Sequence, residues 1–230
     1  MLKFEDVRSG YHDTTIIQNL TLNIDAGEFV ALLGRNGVGK TTLLRTLFGI
    51  CPIFSGAIRM EGTTFHTLRS EKLARAGFSF LPDDRGVFEK LSVEENILLA
   101  RQKSYKPSVD VLELFPLLTE RRTQLAGSLS GGQKQQLGIA RAILAGHKFI
   151  AIDELSQGLQ PNIAHATMEA LRQLVDEQHI SVLIVEQSPT LPLEFCDRII
   201  GMVKGRITLD ESATAIQENV DQLTDLLIVT

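Results

Sequence analysis

The chain has 230 residues, 43% of them hydrophobic and 22% charged, with a net charge of −5. That is the make-up of a folded globular protein of one large domain or two lobes, without an overall basic field for collecting nucleic acid. No apolar run approaches the ~18 residues of a membrane span and the first residues lack a signal-peptide pattern, so a cytoplasmic protein is expected, with any membrane role coming through a partner chain. Cys51 and Cys196 lie far apart without C-x-x-C spacing, which points to neither a metal site nor a disulfide framework. His12, His66, His147, His165 and His179 are scattered and read as solvated or locally bonded.

In chain order, residues 2–7 and 15–24 are strand-like, with a turn expected over Ser9-Gly10-Tyr11-His12-Asp13. Tyr11 reads either as a turn or edge-strand tyrosine or as an aromatic face on which a base could stack. Residues 29–33 form a short buried strand. Gly34-Arg35-Asn36-Gly37-Val38-Gly39-Lys40-Thr41 then fits G-x-x-x-x-G-K-[ST], followed by Thr42 and an apolar helix from Leu43 to Phe48. Strand, loop and helix in that order are the context a phosphate-binding loop needs. Gly34, Asn36, Gly37, Gly39 and Thr42 belong to a loop whose N–H groups can turn inward on phosphate oxygens at a helix N-terminus. Lys40 is placed to reach the β- and γ-phosphates of a nucleotide, and the Thr41 hydroxyl to hold Mg²⁺.

Further strands are expected at 56–60 and 76–81, with a helix over 68–75 between them and a break at Pro82-Asp83-Asp84-Arg85-Gly86. Ser92-Val93-Glu94-Glu95 is a capping box that should start a helix. From there to about 129 no strand is expected. The composition shift predicts a helical lobe, about 86–145, inserted into a sheet-containing lobe made of 1–85 and 146–230. A helix should run from Gly131 to about Ala145 with Leu137, Ala140, Ile143 and Leu144 on one face. The polar run Gln133-Lys134-Gln135-Gln136 is read as a contact patch or a solvated face. Residues 149–152 form a buried strand ending in Asp153-Glu154, Pro161 opens a helix to about 178, and residues 181–185 form a strand ending at Glu186-Gln187. Residues 198–203 and 206–209 should close a hairpin, and 216–229 one or two amphipathic helices. Alternating strand and helix predicts an α/β fold: a largely parallel sheet with helices on both faces.

In such a sheet the strand ends carrying Asp153 and Glu154 lie at the phosphate-loop edge. Asp153 is then the expected Mg²⁺ holder, through water, and Glu154 the base for an attacking water. Leu129-Ser130-Gly131-Gly132-Gln133 offers a second anion cradle, a serine hydroxyl and glycine N–H groups opening a helix. Two cradles but one pair of acids suggest a two-fold dimer in which each chain's second cradle covers its partner's nucleotide.

The order Tyr11, GRNGVGKT, LSGGQ, FIAIDE resembles the ATP-binding subunits of ATP-binding-cassette (ABC) transporters over nearly the whole chain. The resemblance implies the P-loop ABC-ATPase fold, with an antiparallel β part beside the parallel core. It also implies a head-to-tail dimer sandwiching two ATP molecules, adenine stacked on Tyr11, and Ser130, Gly131, Gly132 and Gln133 closing on the partner's nucleotide. The helical lobe would dock a transmembrane permease at the cytoplasmic face of the membrane, indirectly serving a solute-binding protein.

Three positions depart from the broad family pattern. Asp83 stands where most members carry a glutamine near the metal, Ser156-Gln157-Gly158-Leu159-Gln160 replaces Ser-x-x-Leu-Asp, and Gln187 replaces the switch histidine in Val185-Glu186-Gln187. Gln187 can donate a hydrogen bond to the γ-phosphate but cannot become a cation. The same set, with Arg85-Gly86 and Leu91-Ser92-Val93-Glu94-Glu95-Asn96, is similar to branched-chain amino-acid importer ATPases and their urea-importer neighbours. A regulatory nucleotide-binding subunit with weak hydrolysis, and a soluble ATPase acting on nucleic acid or protein assembly, are the competing readings.

Overall fold

The structure is a computed structural model that describes residues 1–65, 69–219 and 223. Strands β1 (Leu2–Tyr11) and β2 (Thr14–Ile24) alternate buried and exposed residues and pair antiparallel, Leu2 opposite Ile24 and Tyr11 opposite Thr14. The reversal is made by His12-Asp13 alone, with His12 at a φ of 49°. The wider turn expected over 9–13 is therefore mostly strand, because Ser9 and Gly10 still pair with β2.

Strand β3 (Phe29–Leu33) is buried throughout and feeds helix α1 (Lys40–Leu47). The next two strands, β4 (Ile53–Met60) and β5 (Thr63–Phe65), do not enter the parallel sheet. They extend β1 and β2 into an antiparallel sheet of order β2-β1-β4-β5. Helix α2 (Ser70–Arg75) follows. The start of the helix expected over 68–75, and His66, fall outside the described residues.

Strand β6 (Phe78–Leu81) leads to α3 (Val93–Ala100), α4 (Val111–Leu114), α5 (Pro116–Glu120) and α6 (Gly131–Ala145). The Ser92 capping box forms: Glu95 N donates to Ser92 Oγ at 3.1 Å, and Ser92 N to Glu95 Oε2 at 2.7 Å. Pairing between residues 86 and 145 is limited, among the described residues, to one isolated bridge between Ser92 and Leu125. The chain then alternates through β7 (Phe149–Asp153), α7 (Pro161–Gln178), β8 (Ser181–Glu186), α8 (Thr190–Phe195), β9 (Arg198–Val203), β10 (Arg206–Ser212) and α9 (Ala213–Glu218). Of the helical content expected over 216–229, only its start falls in α9. Residues 220–222 and 224–230 lie outside the described residues.

The larger sheet has the order β10-β9-β3-β8-β7-β6, parallel except for the β9–β10 hairpin. Because side chains alternate along a strand, its two faces build two cores. Phe29, Ala31 and Leu33 with Ile150 and Ile152 face α6 and α7. Val30, Leu32, Ala151 and Leu183 face α1 and the antiparallel sheet. Helix α6 buries Leu137, Ala140, Ile143 and Leu144, the face expected for it. It lies so close to the chain leaving β6 that a Cβ at Gly138 would come 2.7 Å from the backbone oxygen of Arg85, so only glycine fits there. Ile143 is fully buried in this core. Ile143→Ala should cost about 2–5 kcal/mol in urea unfolding. A loss under about 1 kcal/mol would mean that α6 can collapse onto the cavity and is not packed as described.

Candidate nucleotide site

The loop between β3 and α1 is shaped by its glycines. Gly37 and Gly39 take φ of 79° and 112°, and a Cβ at Gly34 would lie 2.5 Å from Met202 O. Gly39 caps α1 without a side chain, so the first-turn N–H groups of the helix are left to another acceptor. Lys40 is buried and folds back over the loop, donating from Nζ to Gly34 O at 2.6 Å and Arg35 O at 2.9 Å. Burial lowers its pKa, against the raising pull of Glu154, Asp153 and Glu186.

Tyr11, Ile16, Asn36, Gly37, Gly39, Lys40, Thr41, Thr42 and Glu154 line one open cleft of about 180 Å³. That is below the ~300 Å³ of a typical complete small-molecule site and suits half of one. Tyr11 stands at the end of β1, beyond the stretch that pairs with β4, and is 39% exposed. It is therefore on a strand and not in the turn, paired with β2 on one side and open on the other. The segment Ser130, Gly131, Gly132 and Gln133 does not line this cleft. Ser130 caps α6, its Oγ accepting from Gln133 N at 3.4 Å while Ser130 N donates to Gln133 Oε1 at 3.0 Å. Gly131 and Gly132 supply first-turn N–H groups.

Register brings the acids to the loop edge: Leu33 pairs with Glu186, and Asp153 with Val185. Glu154 takes a left-handed φ of 54°, rare for a residue with a side chain, and the surrounding bonds hold it there. Its N–H donates to Val185 O at 2.9 Å, and its Oε1 accepts from Gln187 Nε2 at 2.7 Å. Gln135 Nε2 donates to both Glu154 O and Leu155 O at 3.1 Å, and Ser156 N donates to Glu186 Oε1 at 2.8 Å. Burial raises the Glu186 pKa, opposed by its bonds from Ser156 and the Gln187 backbone.

Gln135, Glu186 and Arg45 were not singled out from the sequence. The solvated reading of the polar run fails at Gln135, which is buried. Its spacing to buried Ile139 and Ala142, four and seven residues on, carried the signal. Glu186 continues the inward face of Val182 and Ile184. Arg45 lies one turn beyond Thr41 and donates to Asp83 Oδ1 at 3.0 Å and Tyr11 Oη at 3.2 Å. Asp83, expected on the metal side, thus has an oxygen committed to Arg45.

Neither carboxylate oxygen of Asp153 has a hydrogen-bond partner at ordinary distance among the described residues, although the Thr41 hydroxyl is near enough to favour its ionised form. Burial pushes its pKa from 3.8 up to about 6, opposed by Thr41, helped by Asp83 and Glu154, and opposed by Lys40. A buried carboxylate aimed beside a threonine hydroxyl fits a hard cation. No cluster of three or more acidic, histidine or cysteine ligands exists among the described residues. Because the folded chain holds the Asp153 proton more tightly than the unfolded chain, stability falls as pH rises through about 6. With chelator present, Asp153→Asn should raise stability by up to about 3 kcal/mol at pH 8, the gain shrinking towards pH 5. A pH-independent difference in urea unfolding would contradict this.

Comparison with known proteins gives the family and the fold. The family described as ABC transporter matches residues 17–157. The chain is 38% identical to the high-affinity branched-chain amino acid transport ATP-binding protein BraG of Pseudomonas aeruginosa, covering 95% of this chain and 96% of that one. It is 30% identical to the probable branched-chain amino acid transport ATP-binding protein LivF of Archaeoglobus fulgidus, covering 95% of each. A solved ATP-binding subunit of an ABC transporter superposes over the whole of both chains with a TM-score of 0.85 at 24% identity. Among the described residues no helix is long and apolar enough to cross a membrane. The chain belongs to the ABC transporter family, as an ATP-binding, ATP-hydrolysing subunit.

Proposed function

We propose that this chain energises the uptake of branched-chain amino acids through a separate permease at the cytoplasmic face of the membrane, working as an ATPase dimer. The observation that carries the chemistry is the Glu154 carboxylate, held at 2.7 Å by Gln187 at the edge of the phosphate-loop cleft. The solute assignment is supported by the 38% identity to a branched-chain amino acid transport ATPase, with a urea importer as the nearest alternative.

In this reading Tyr11 stacks on adenine, and Lys40 exchanges Gly34 O and Arg35 O for phosphate oxygens. The loop and α1 N–H groups, with Asn36 and Thr42 beside them, receive the rest of the phosphate charge. Thr41 and Asp153 would hold Mg²⁺, directly or through water, and the ion would supply positive charge to offset that developing on the phosphates. Glu154 accepts the proton of the attacking water, and ADP and phosphate are the products. Gln187 fixes the orientation of Glu154 by donating to its carboxylate, and it stays neutral at every pH. Ser130, Gly131 and Gly132 of a second ATPase chain, identical or related, complete the half-site from across a two-fold interface.

A groove of about 340 Å³ between the end of α1, β6, α3 and α6, with Ile50 and Leu99 more than half exposed at its rim, suits the permease contact. The membrane placement follows from that contact, and a solute-binding protein would act only through the permease. Glu154→Gln should cut ATP turnover at least ~100-fold while nucleotide still binds, and Lys40→Ala should weaken binding itself. Turnover that survives Glu154→Gln overturns the assignment of the base. For the solute, cells dependent on imported leucine should regain uptake with the chain and its permease, and not with Lys40→Ala. Restored urea uptake instead would favour the alternative.

A further inference from the structure

Arg45 ties together three elements around the site without lining the cleft. It projects from α1, and its guanidinium reaches Asp83 just past the end of β6 and Tyr11 at the end of β1. The Arg45 side chain is 32% exposed and that of Asp83 46%, so the ion pair adds little to stability. Its position suggests a different use. The Asp83 charge is felt at Asp153, as is that of Glu154. A free carboxylate at 83 would be a third negative group facing the phosphates.

We propose that Arg45 is a positioning residue for ATP hydrolysis. Its two-pronged bond keeps the Asp83 carboxylate turned towards the guanidinium and neutralised, and it pins the Tyr11 phenol at the cleft wall. Arg45 then answers the charge that aspartate brings to this position. Two nitrogens of one planar fork are needed, since a lysine ammonium has no fixed fork with which to hold a carboxylate and a phenol from two separate segments. The inference rests on the placement of Asp153 and Thr41 beside Mg²⁺ given above.

The test is equilibrium ATP binding by calorimetry, with and without Mg²⁺, together with KM and kcat. The variants are Arg45→Met, Arg45→Lys, Asp83→Asn and the double Arg45→Met/Asp83→Asn, with Lys40→Ala and Glu154→Gln as controls. Arg45→Met should weaken ATP binding and raise KM about tenfold, the effect of one uncompensated charge beside the phosphates. Adding Asp83→Asn should bring affinity back to within about threefold of the starting protein, and Arg45→Lys should fall between. Unfolding midpoints should stay within about 3 °C throughout. Binding unchanged in Arg45→Met, with both controls impaired, overturns the inference alone. So does a loss that Asp83→Asn fails to recover, which would place Arg45 on the nucleotide itself or in the fold. Silent controls would sink the site assignment and this inference with it.

Discussion

The register of three parallel strands governs what this protein can do. β3, β8 and β7 are buried on both faces, and their ladder pairs Leu33 with Glu186 and Asp153 with Val185. The phosphate loop, the buried carboxylate and the bracing carboxylate therefore emerge along one edge. A slip of one residue would invert every side chain between two different cores, one facing α6 and α7 and one facing α1, so the register is strongly specified. The antiparallel sheet closes the second core and carries Tyr11 to the same edge, giving a cleft whose parts come from both sheets.

On that edge, Glu154 is the most constrained residue. Its left-handed backbone is held by Val185 O on its N–H and by Gln135 on its carbonyl, and its side chain by Gln187. Gln135 comes from α6, the helix that Ser130 opens. A second contact reinforces the link, since a Cβ at Gly132 would lie 2.3 Å from Gly158 O. The cradle offered to a partner is thus packed against the segment that follows this chain's own acid. In the proposed dimer this would fix the spacing between the half-site a chain keeps and the half-site it lends.

Much of this was legible in the sequence, because periodicity and strong local signals agreed. The limits of α6 and α7, the capping box at Ser92 and the strands ending at Asp153 and Glu186 follow from such signals. What was not legible depended on partners distant in sequence. The resemblance implies an antiparallel part, but β4 and β5 follow the phosphate-loop helix as a next parallel strand would, and only pairing with β1 shows that they belong to it. Asp83 reads as a metal-side acid until Arg45, 38 residues earlier, is seen on its carboxylate. Gln135 sits in a polar run that suggests solvent, while its helical phase with Ile139 and Ala142 points inward.

The central claim is that each nucleotide site is built from two chains, and mixing two disabled variants tests it most directly. Lys40→Ala removes the phosphate lysine and Ser130→Arg blocks the lent cradle, so each variant alone should be inactive. A mixed dimer keeps one intact site, made of the phosphate loop of the Ser130→Arg chain and the Ser130 of the Lys40→Ala chain. An equimolar mixture of the two variants should regain about a quarter of the starting ATPase activity if pairing is random and sites act independently. Activity no greater than the mean of the two separate variants would contradict the composite site.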